Sequence, residues 1–354
     1  MILAAADICR SKLLKATLRY DALKTLFYHR SHRILFLFSL AVLLYFFASL
    51  FLPLWVLLIG PIVWGVPHLI ASLRYSTISQ KSEQRNLILR FQLAVWAAVF
   101  VYRYCIDILK IPLFWSDYTL MFESVCLLIS FCVQTLIIKK YDVKFIMQFI
   151  IFSGFITATY LRPIETALVA LIGHNYQPLY NWYRSCRHDD DRKIFWIAST
   201  VFVAASAAIY FGTFNFLYRH LSPSGSIGFL NWDYSEIIAP FVSENYDYEF
   251  WFRIVSLYAF SQAIHYFIWL KAIPENYQTH EHPPSFRTSY KLLNSEFGNG
   301  SVVLFVALML VGLSGWFLYE FHVARLVYFC LASYHGFMEL SSLPFIGRNK
   351  RSQL

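Results

Sequence analysis

Apolar residues dominate this chain in long runs separated by short polar stretches. Ten runs are each long enough to cross about 30 Å of hydrocarbon as a helix. The pattern therefore predicts an all-α fold, a polytopic integral membrane helical bundle of about ten transmembrane helices. The predicted spans are residues 34–52, 53–75, 85–109, 116–137, 143–160, 163–184, 194–217, 249–270, 299–318 and 321–345.

Three regions follow from this pattern. Residues 1–33 alternate apolar and basic positions at helical spacing, which is typical of an amphipathic helix on a membrane surface. Residues 34–345 are predicted to form a single transmembrane domain, and residues 346–354 a basic tail. Two connections are long, 218–248 and 271–298, and either can act as a lid or as simple linkage.

The positions of the basic residues predict the orientation of the bundle. Of the 30 Lys and Arg residues, all but six lie in the N-terminal segment, in the tail, or in and beside the connections that follow even-numbered spans. Basic residues near span ends are retained in the cytoplasm, so both termini are predicted to be cytoplasmic. The six exceptions are Arg103, Lys110, Arg162, Arg219, Arg253 and Arg325.

Composition narrows the class of partner. Charged residues make up only 14% of the chain, whereas soluble domains average about 25%. The net charge of +9 comes from residues that border apolar helices, which favours anionic lipid headgroups over nucleic acid. The six cysteines show no CxxC spacing, so we expect neither disulfides nor a cysteine metal site. We expect a multi-pass protein of the bacterial inner membrane.

Four histidines lie in the middle part of predicted spans, where an ionisable side chain is costly and indicates a function by default. They are His68, His174, His265 and His335, on the second, sixth, eighth and tenth spans. These four helices run in one direction and each histidine lies at or past the midpoint, so we expect all four at one depth. Such side chains can converge on one metal ion. The competing interpretation is that each one is an interhelical hydrogen-bonding residue.

The donor set suggests which metal is held and which groups support it. Imidazole suits iron, zinc and copper, and the lack of thiolates at this depth favours redox iron. Three polar residues share a helix face with a histidine at a spacing of three or four, from which a side chain can fix the tautomer of a ring. They are Glu339 beside His335, Gln177 beside His174 and Gln262 beside His265.

Further residues complete the set of candidates. Glu123 is a second acid inside a predicted span, and Tyr266 belongs to a group of aromatic residues near the histidines that can line a tunnel for a long apolar substrate. Together with Glu339 they are the candidate catalytic residues. His280 and His282, in the connection 271–298, are a weaker metal-binding pair because two ligands on a loop rarely form a site.

Short motifs around these histidines resemble the bacterial Brp/Blh family of integral membrane enzymes. The motifs are GVPH at His68 and YHGFMEL at His335, with an aromatic segment HYFIWL at His265. The resemblance implies a non-haem iron held by histidines and cleavage of β-carotene to retinal with O₂. It covers about forty residues, and Ser72 stands where the family carries an acid. It therefore supports an iron oxygenase-like site more than carotene as the substrate.

These observations favour a metal-dependent membrane oxidoreductase or oxygenase, with non-haem iron, that acts on a lipid or isoprenoid. A haem protein for electron transfer is an alternative, since four histidines can hold two bis-histidine haems. An acyltransferase that uses His335 alone is another alternative, and a transporter with a histidine proton relay a third.

Overall fold

The computed structural model is built almost entirely of helices. It describes residues 2–17, 19–21, 24, 28–75, 85–111, 119–138, 143–216, 226–227, 232–233, 248–278, 286–297 and 301–342. The α-helices are α1 (Ile2–Thr17), α2 (Arg30–Phe51), α3 (Pro53–Ile59), α4 (Val66–Leu73), α5 (Arg85–Arg103), α6 (Thr119–Ile138), α7 (Val143–Leu161), α8 (Pro163–Gly173), α9 (Gln177–Ser185), α10 (Asp189–Tyr210), α11 (Tyr248–Phe267), α12 (Ile273–Tyr277), α13 (Phe286–Phe297), α14 (Ser301–Tyr319) and α15 (Phe321–Ser342).

The prediction of a helical membrane-type fold is confirmed in its coarse form. Within the described residues, five helices are long and apolar enough to cross a membrane. Each of the ten predicted runs is helical over most of its described length. The five helices are Arg30–Phe51, Pro53–Leu73, Asn86–Ile108, Thr119–Ile137 and Asp189–Tyr210.

Proline sets two of the boundaries between successive helices. Leu52 and Arg162 leave the helical region of backbone conformation, and Pro53 and Pro163 then begin the next helix. Proline lacks a backbone N–H and has a fixed φ, so it ends one helix and fits the first turn of another. Two adjacent spans can thus be separated by a single residue.

Two helical segments extend beyond the predicted spans. The span predicted from residue 194 begins at Asp189, because His188 caps the helix and three aspartates in the first turn interact favourably with its dipole. The connection 271–298 is largely helical: the helix of the eighth span continues to Tyr277, and α13 follows. Both segments are polar in composition, so a pattern of apolar runs does not predict them.

Little of the other long connection is described. Within 218–248 an antiparallel pair of two-residue strands, Ser226–Ile227 and Trp232–Asp233, is present. The rest of that connection up to residue 247 and the tail 346–354 lie outside the described residues.

Helix α11 forms the centre of the bundle. Nearly every residue from Trp251 to Tyr266 is buried, as expected of a helix that is apolar on all sides. One side packs with α2 and α10, and the other with α3, α14 and α15. A third apolar cluster joins α5, α6, α7 and α15. The four histidine-bearing segments meet where these clusters adjoin.

Buried ion pairs hold one end of the bundle together. Arg30 contacts the Asp191 carboxylate at 3.2 Å, and Arg33 contacts Glu275 at 2.6 Å. Lys271 reaches the same Glu275 at 2.7 Å. We call this group the ion-pair end. It connects α2 to α10 and α12, so the basic residues before the first span are part of the packed structure.

Candidate metal centre

Irregular helical turns adjoin three of the four histidines. A π-helical turn at Gly60–Gly65 precedes His68, a 3₁₀ turn begins at His174, and a second π-helical turn at Ile268–Ala272 follows His265. Such turns inside helices are frequent at functional sites because they rotate the residues that follow them. His335 lies within the regular helix α15.

His68, His265 and His335 form a compact buried group. Each offers a ring nitrogen within 4.8 Å of the others. The Nε2 atoms of His68 and His335 are 3.1 Å apart, and the rings of His68 and His265 are 5.2 Å apart between centroids. Two ring nitrogens 3.1 Å apart fit either an N–H···N hydrogen bond, in which one neutral ring carries its proton there, or a cation that both nitrogens face.

Contacts with backbone carbonyls indicate which histidine ring nitrogens can bind a metal. His68 Nδ1 lies 3.3 Å from the carbonyl oxygen of Trp64, and His174 Nδ1 lies 3.2 Å from that of Leu171. If each Nδ1–H donates there, Nε2 keeps a free lone pair, which is the usual arrangement of a metal-binding histidine. Within the described part of the chain, no side-chain hydrogen bond is formed by either ring nitrogen of His265 or by Nδ1 of His335.

His174 joins this group but is not one of the compact three. Its ring centroid is 4.7 Å from that of His265 and 6.1 Å from that of His335. The ring lies against Gly336, where an added Cβ would be 3.1 Å from the ring. The absence of a side chain at Gly336 therefore permits the approach of His174, and the glycine of the YHG motif has a steric role that the sequence did not suggest.

Glu339 contacts His335 from the same side as His68. Its Oε1 is 3.0 Å from His335 Nε2, in a completely buried position. The sequence predicts that Glu339 can fix the tautomer of the His335 ring, and the carboxylate reaches the ring nitrogen that faces His68. Two ligands about 2.1 Å from an ion at right angles are about 3.0 Å apart, so Glu339 is close enough either to orient His335 or to approach an ion held beside it.

Tyr266 forms one wall of the group. Its ring lies 4.5 Å from that of His68, and its hydroxyl is 3.3 Å from the hydroxyl of Tyr328. An added Cβ at Gly65 would be 2.7 Å from Tyr328, so this glycine allows the tyrosine to pack closely. Tyr328 escaped the sequence analysis, although it lies seven residues before His335 and hence on the same helix face.

The two glutamines and Glu123 do not make the expected contacts. Gln262 donates to the Tyr258 hydroxyl at 3.2 Å, because that group lies one turn away on its own helix. Both polar atoms of the Gln177 side chain lack a partner within the described residues. The Glu123 carboxylate accepts hydrogen bonds from Arg103 at 2.7 and 2.9 Å, so it neutralises a cation between α5 and α6. His280 and His282 lie outside the described residues.

Comparisons with protein-family models, with curated proteins and with solved structures find no match to this chain.

Proposed function

We propose that this chain is a metal-dependent membrane oxidoreductase or oxygenase that acts on a lipid or isoprenoid at its histidine cluster. The observation that carries the proposal is the convergence of four histidines from separate helical segments, three of them within 4.8 Å. The Nε2 atoms of His68 and His335 face each other at 3.1 Å, and the Glu339 carboxylate lies 3.0 Å from the second of them. Donor atoms of three buried side chains therefore already lie side by side, as the ligands of a bound cation do.

The proposed setting is a multi-pass protein of ten spans in the bacterial inner membrane, with both termini cytoplasmic. Among the residues that the structure describes, five helices satisfy the length and composition needed to cross a membrane. Support for further spans comes from helices such as α14, whose nineteen residues include no charged one. The distribution of Lys and Arg supports the orientation. Large exposed apolar side chains, such as Leu44 on α2 and Ile150 on α7, fit contact with lipid.

His68, His265 and His335 would hold the metal, with His174 and Glu339 completing its surroundings. Non-haem iron fits this mixed set of imidazoles and one carboxylate, which lacks thiolates. Iron held there would supply Lewis acidity and electrons for a reaction with O₂. The chain itself contributes the fixed Nε2 atoms, the negative charge of Glu339 and an apolar wall that excludes water.

The close packing of the rings favours a single ion over haem. The rings of His68 and His335 are 4.7 Å apart and nearly perpendicular, and a flat porphyrin does not fit between rings in edge contact. An acyltransferase that uses His335 alone leaves His68, His174 and His265 without a role. Both alternatives nevertheless make distinct predictions for the purified protein.

Elemental analysis of the purified protein, together with its absorption spectrum, tests the proposal. We expect about one iron per chain and no Soret band. A Soret band would identify a haem protein and overturn the proposal. Protein that binds no transition metal after reconstitution would also overturn it and would favour the acyltransferase. Reporter fusions at the C-terminus and within 218–248 test the topology, and both reporters on one side would contradict it.

A further inference from the structure

Unpartnered amide side chains lie between the histidine cluster and the ion-pair end. Gln177 and Asn181 are each more than nine-tenths buried, and neither polar atom of either side chain has a hydrogen-bond partner within the described residues. Trp269 is fully buried, and its Nε1 also lacks a partner there. Such groups are rare in folded proteins and require an explanation.

These amide and indole side chains belong to two helical segments that pack against each other. His174, Gln177, Asn181 and Ser185 recur at intervals of three and four residues, which places them on one face. Helix α9 packs against the helix that runs from Ile268 to Tyr277. On the same segment His265 precedes Trp269 by four residues, and Asn276 follows the π-helical turn Ile268–Ala272.

Contacts at both ends fix the register of the two segments. At one end the rings of His174 and His265 are 4.7 Å apart. At the other end, eleven residues later on each chain segment, Asn276 Nδ2 donates to Ser185 Oγ at 3.1 Å. Because both segments advance about 1.5 Å per residue, they remain opposed for roughly 17 Å.

The intervening residues lie between these two contacts along the packed segments. Gln177 and Trp269 lie about one turn from the histidines, and Asn181 lies about one turn from Ser185. Amide groups supply both donors and acceptors, and the indole supplies a donor. A buried water molecule needs two to four such partners.

The two segments also approach the molecular surface. Ser185 and Asn276 are buried, but Arg187 is exposed two residues after Ser185, and Gln278 is half-buried two residues after Asn276. Beyond these residues lies the ion-pair end. Residues exposed to solvent therefore lie within one helical turn of the hydrogen bond between Asn276 and Ser185.

We propose that Gln177, Asn181, Trp269 and Asn276 line a hydrated path that carries water and protons between the histidine cluster and the ion-pair end. Polar residues inside membrane bundles commonly mark such routes. The path rests on the proposed function only for its use, which is the exchange of water and protons between the buried site and solvent. Its hydration does not depend on a metal.

Cysteine accessibility tests the path directly. The six native cysteines are first replaced by Ser or Ala, and Gln177→Cys, Asn181→Cys and Ala198→Cys are introduced singly into the full chain. Ala198 is as buried as Asn181 but belongs to an apolar cluster, so it is the matched dry control. We expect a small charged methanethiosulfonate reagent to label the first two at least tenfold faster than Ala198→Cys, since the thiolate reacts only in water. Equal, slow labelling of all three would overturn the proposal.

A blocking substitution gives an independent readout. Asn181→Leu, which replaces an amide by an apolar group of similar size, is combined with Gln177→Cys, and Asn181→Ser is the polar control. We expect Leu to reduce labelling of Gln177→Cys at least tenfold and Ser to leave it nearly unchanged, with folding checked by gel filtration. Unchanged labelling with Leu would mean that water reaches Gln177 by another route. If labelling is as expected but no metal binds, the path stands and the proposed function fails.

Discussion

The histidine cluster and the ion-pair end are both dense groups of buried polar side chains, but they differ in how far those groups are paired. At the ion-pair end, Glu275 contacts both Arg33 and Lys271, and Asp191 contacts Arg30. In the histidine cluster, the rings face one another with one carboxylate, Glu339, beside them. His265 has no described partner for either nitrogen.

This difference separates a structural role from a functional one. Charges that are taken out of water persist when each has an opposite charge close by, and the ion-pair end meets that condition with its own residues. The histidine cluster differs, since three ring nitrogens lie within 4.8 Å of one another and Glu339 supplies the one carboxylate that contacts them. A cluster of buried polar groups that the chain does not fully pair is the better candidate for a binding site, because a ligand can complete the pairing.

The largest expected effect is the loss of metal when a ligand is removed. We expect His68→Ala, His265→Ala and His335→Ala each to weaken metal binding more than about 100-fold and to abolish activity, because an incomplete coordination sphere costs more than a lost orienting group. His174→Ala should lose less, since His174 is not among the three nitrogen donors within 4.8 Å. Metal per chain, measured on each purified variant, tests this order.

The exposed His29→Ala provides the control, and we expect its metal content to equal that of the unchanged chain. Substitution of His280 or His282 should also have little effect if that connection does not contact the ion. Full metal retention in the His68 and His265 variants would reduce both residues to helix packing. It would favour an enzyme built on His335 alone.

Removal of a carboxylate at the ion-pair end should lower stability and leave metal binding intact. Glu275→Ala takes away the carboxylate that Arg33 and Lys271 both contact. Breaking a buried pair costs about 3–5 kcal/mol because it leaves an uncompensated buried charge. Glu165→Ala, which breaks the exposed pair with Arg162, should cost about 0–1 kcal/mol.

Unfolding in detergent measures this contrast, and the metal content of the folded fraction measures the second part. Equal stability of the two variants would show that the ion-pair end is not a structural anchor. A Glu275→Ala protein that is stable but binds no metal would contradict the assignment of a structural role to the ion-pair end and a binding role to the histidine cluster.

Glu339→Gln should have an intermediate effect on the metal. The substitution keeps the size of the side chain and removes the negative charge beside His335, so we expect metal affinity to fall about 10–100-fold. Glu320→Gln makes the same chemical change at an exposed position before α15 and should leave affinity unchanged. A competition titration with a metal chelator compares the two. Identical affinities would show that Glu339 is only packed against His335.

Periodicity predicted the helices and the meeting of the four histidines, but not the contacts of individual side chains. Spacing of four residues placed Glu339 beside His335, where it contacts the ring, yet a face is about 100° wide, so the same kind of spacing did not specify the partner of Gln262. Gln262 instead reaches Tyr258 on its own helix. The pair of Arg103 with Glu123 depends on how two helices are rotated against each other, which no local pattern specifies.

The irregular helical turns also prevented regular spacing from specifying the contacts of the site residues. The π-helical turn Gly60–Gly65 rotates everything after it, including His68. A search for regular spans passes over such a turn because its residues are as apolar as their neighbours. The glycines that admit Tyr328 and His174 are likewise visible only once the helices are packed.

The smallest expected effect is on the pH dependence of stability, and it comes from Glu275, which lies beyond the proposed eighth span. Burial raises the pKa of this carboxyl, but hydrogen bonds from Arg33 and Lys271 and their charges outweigh burial, so its pKa is lowered from the ordinary value. A carboxyl with a lowered pKa stabilises the folded chain above its unfolded pKa of about 4.3 and loses that contribution as pH falls through the folded pKa. We therefore expect the free energy of unfolding to decrease below about pH 5. Glu275→Gln should be less stable at pH 7 and should show a flatter dependence between pH 7 and pH 3, measured by unfolding in detergent at each pH. The exposed Glu165→Gln should follow the unchanged chain, and parallel curves for all three proteins would contradict the role of Glu275 as a charged partner.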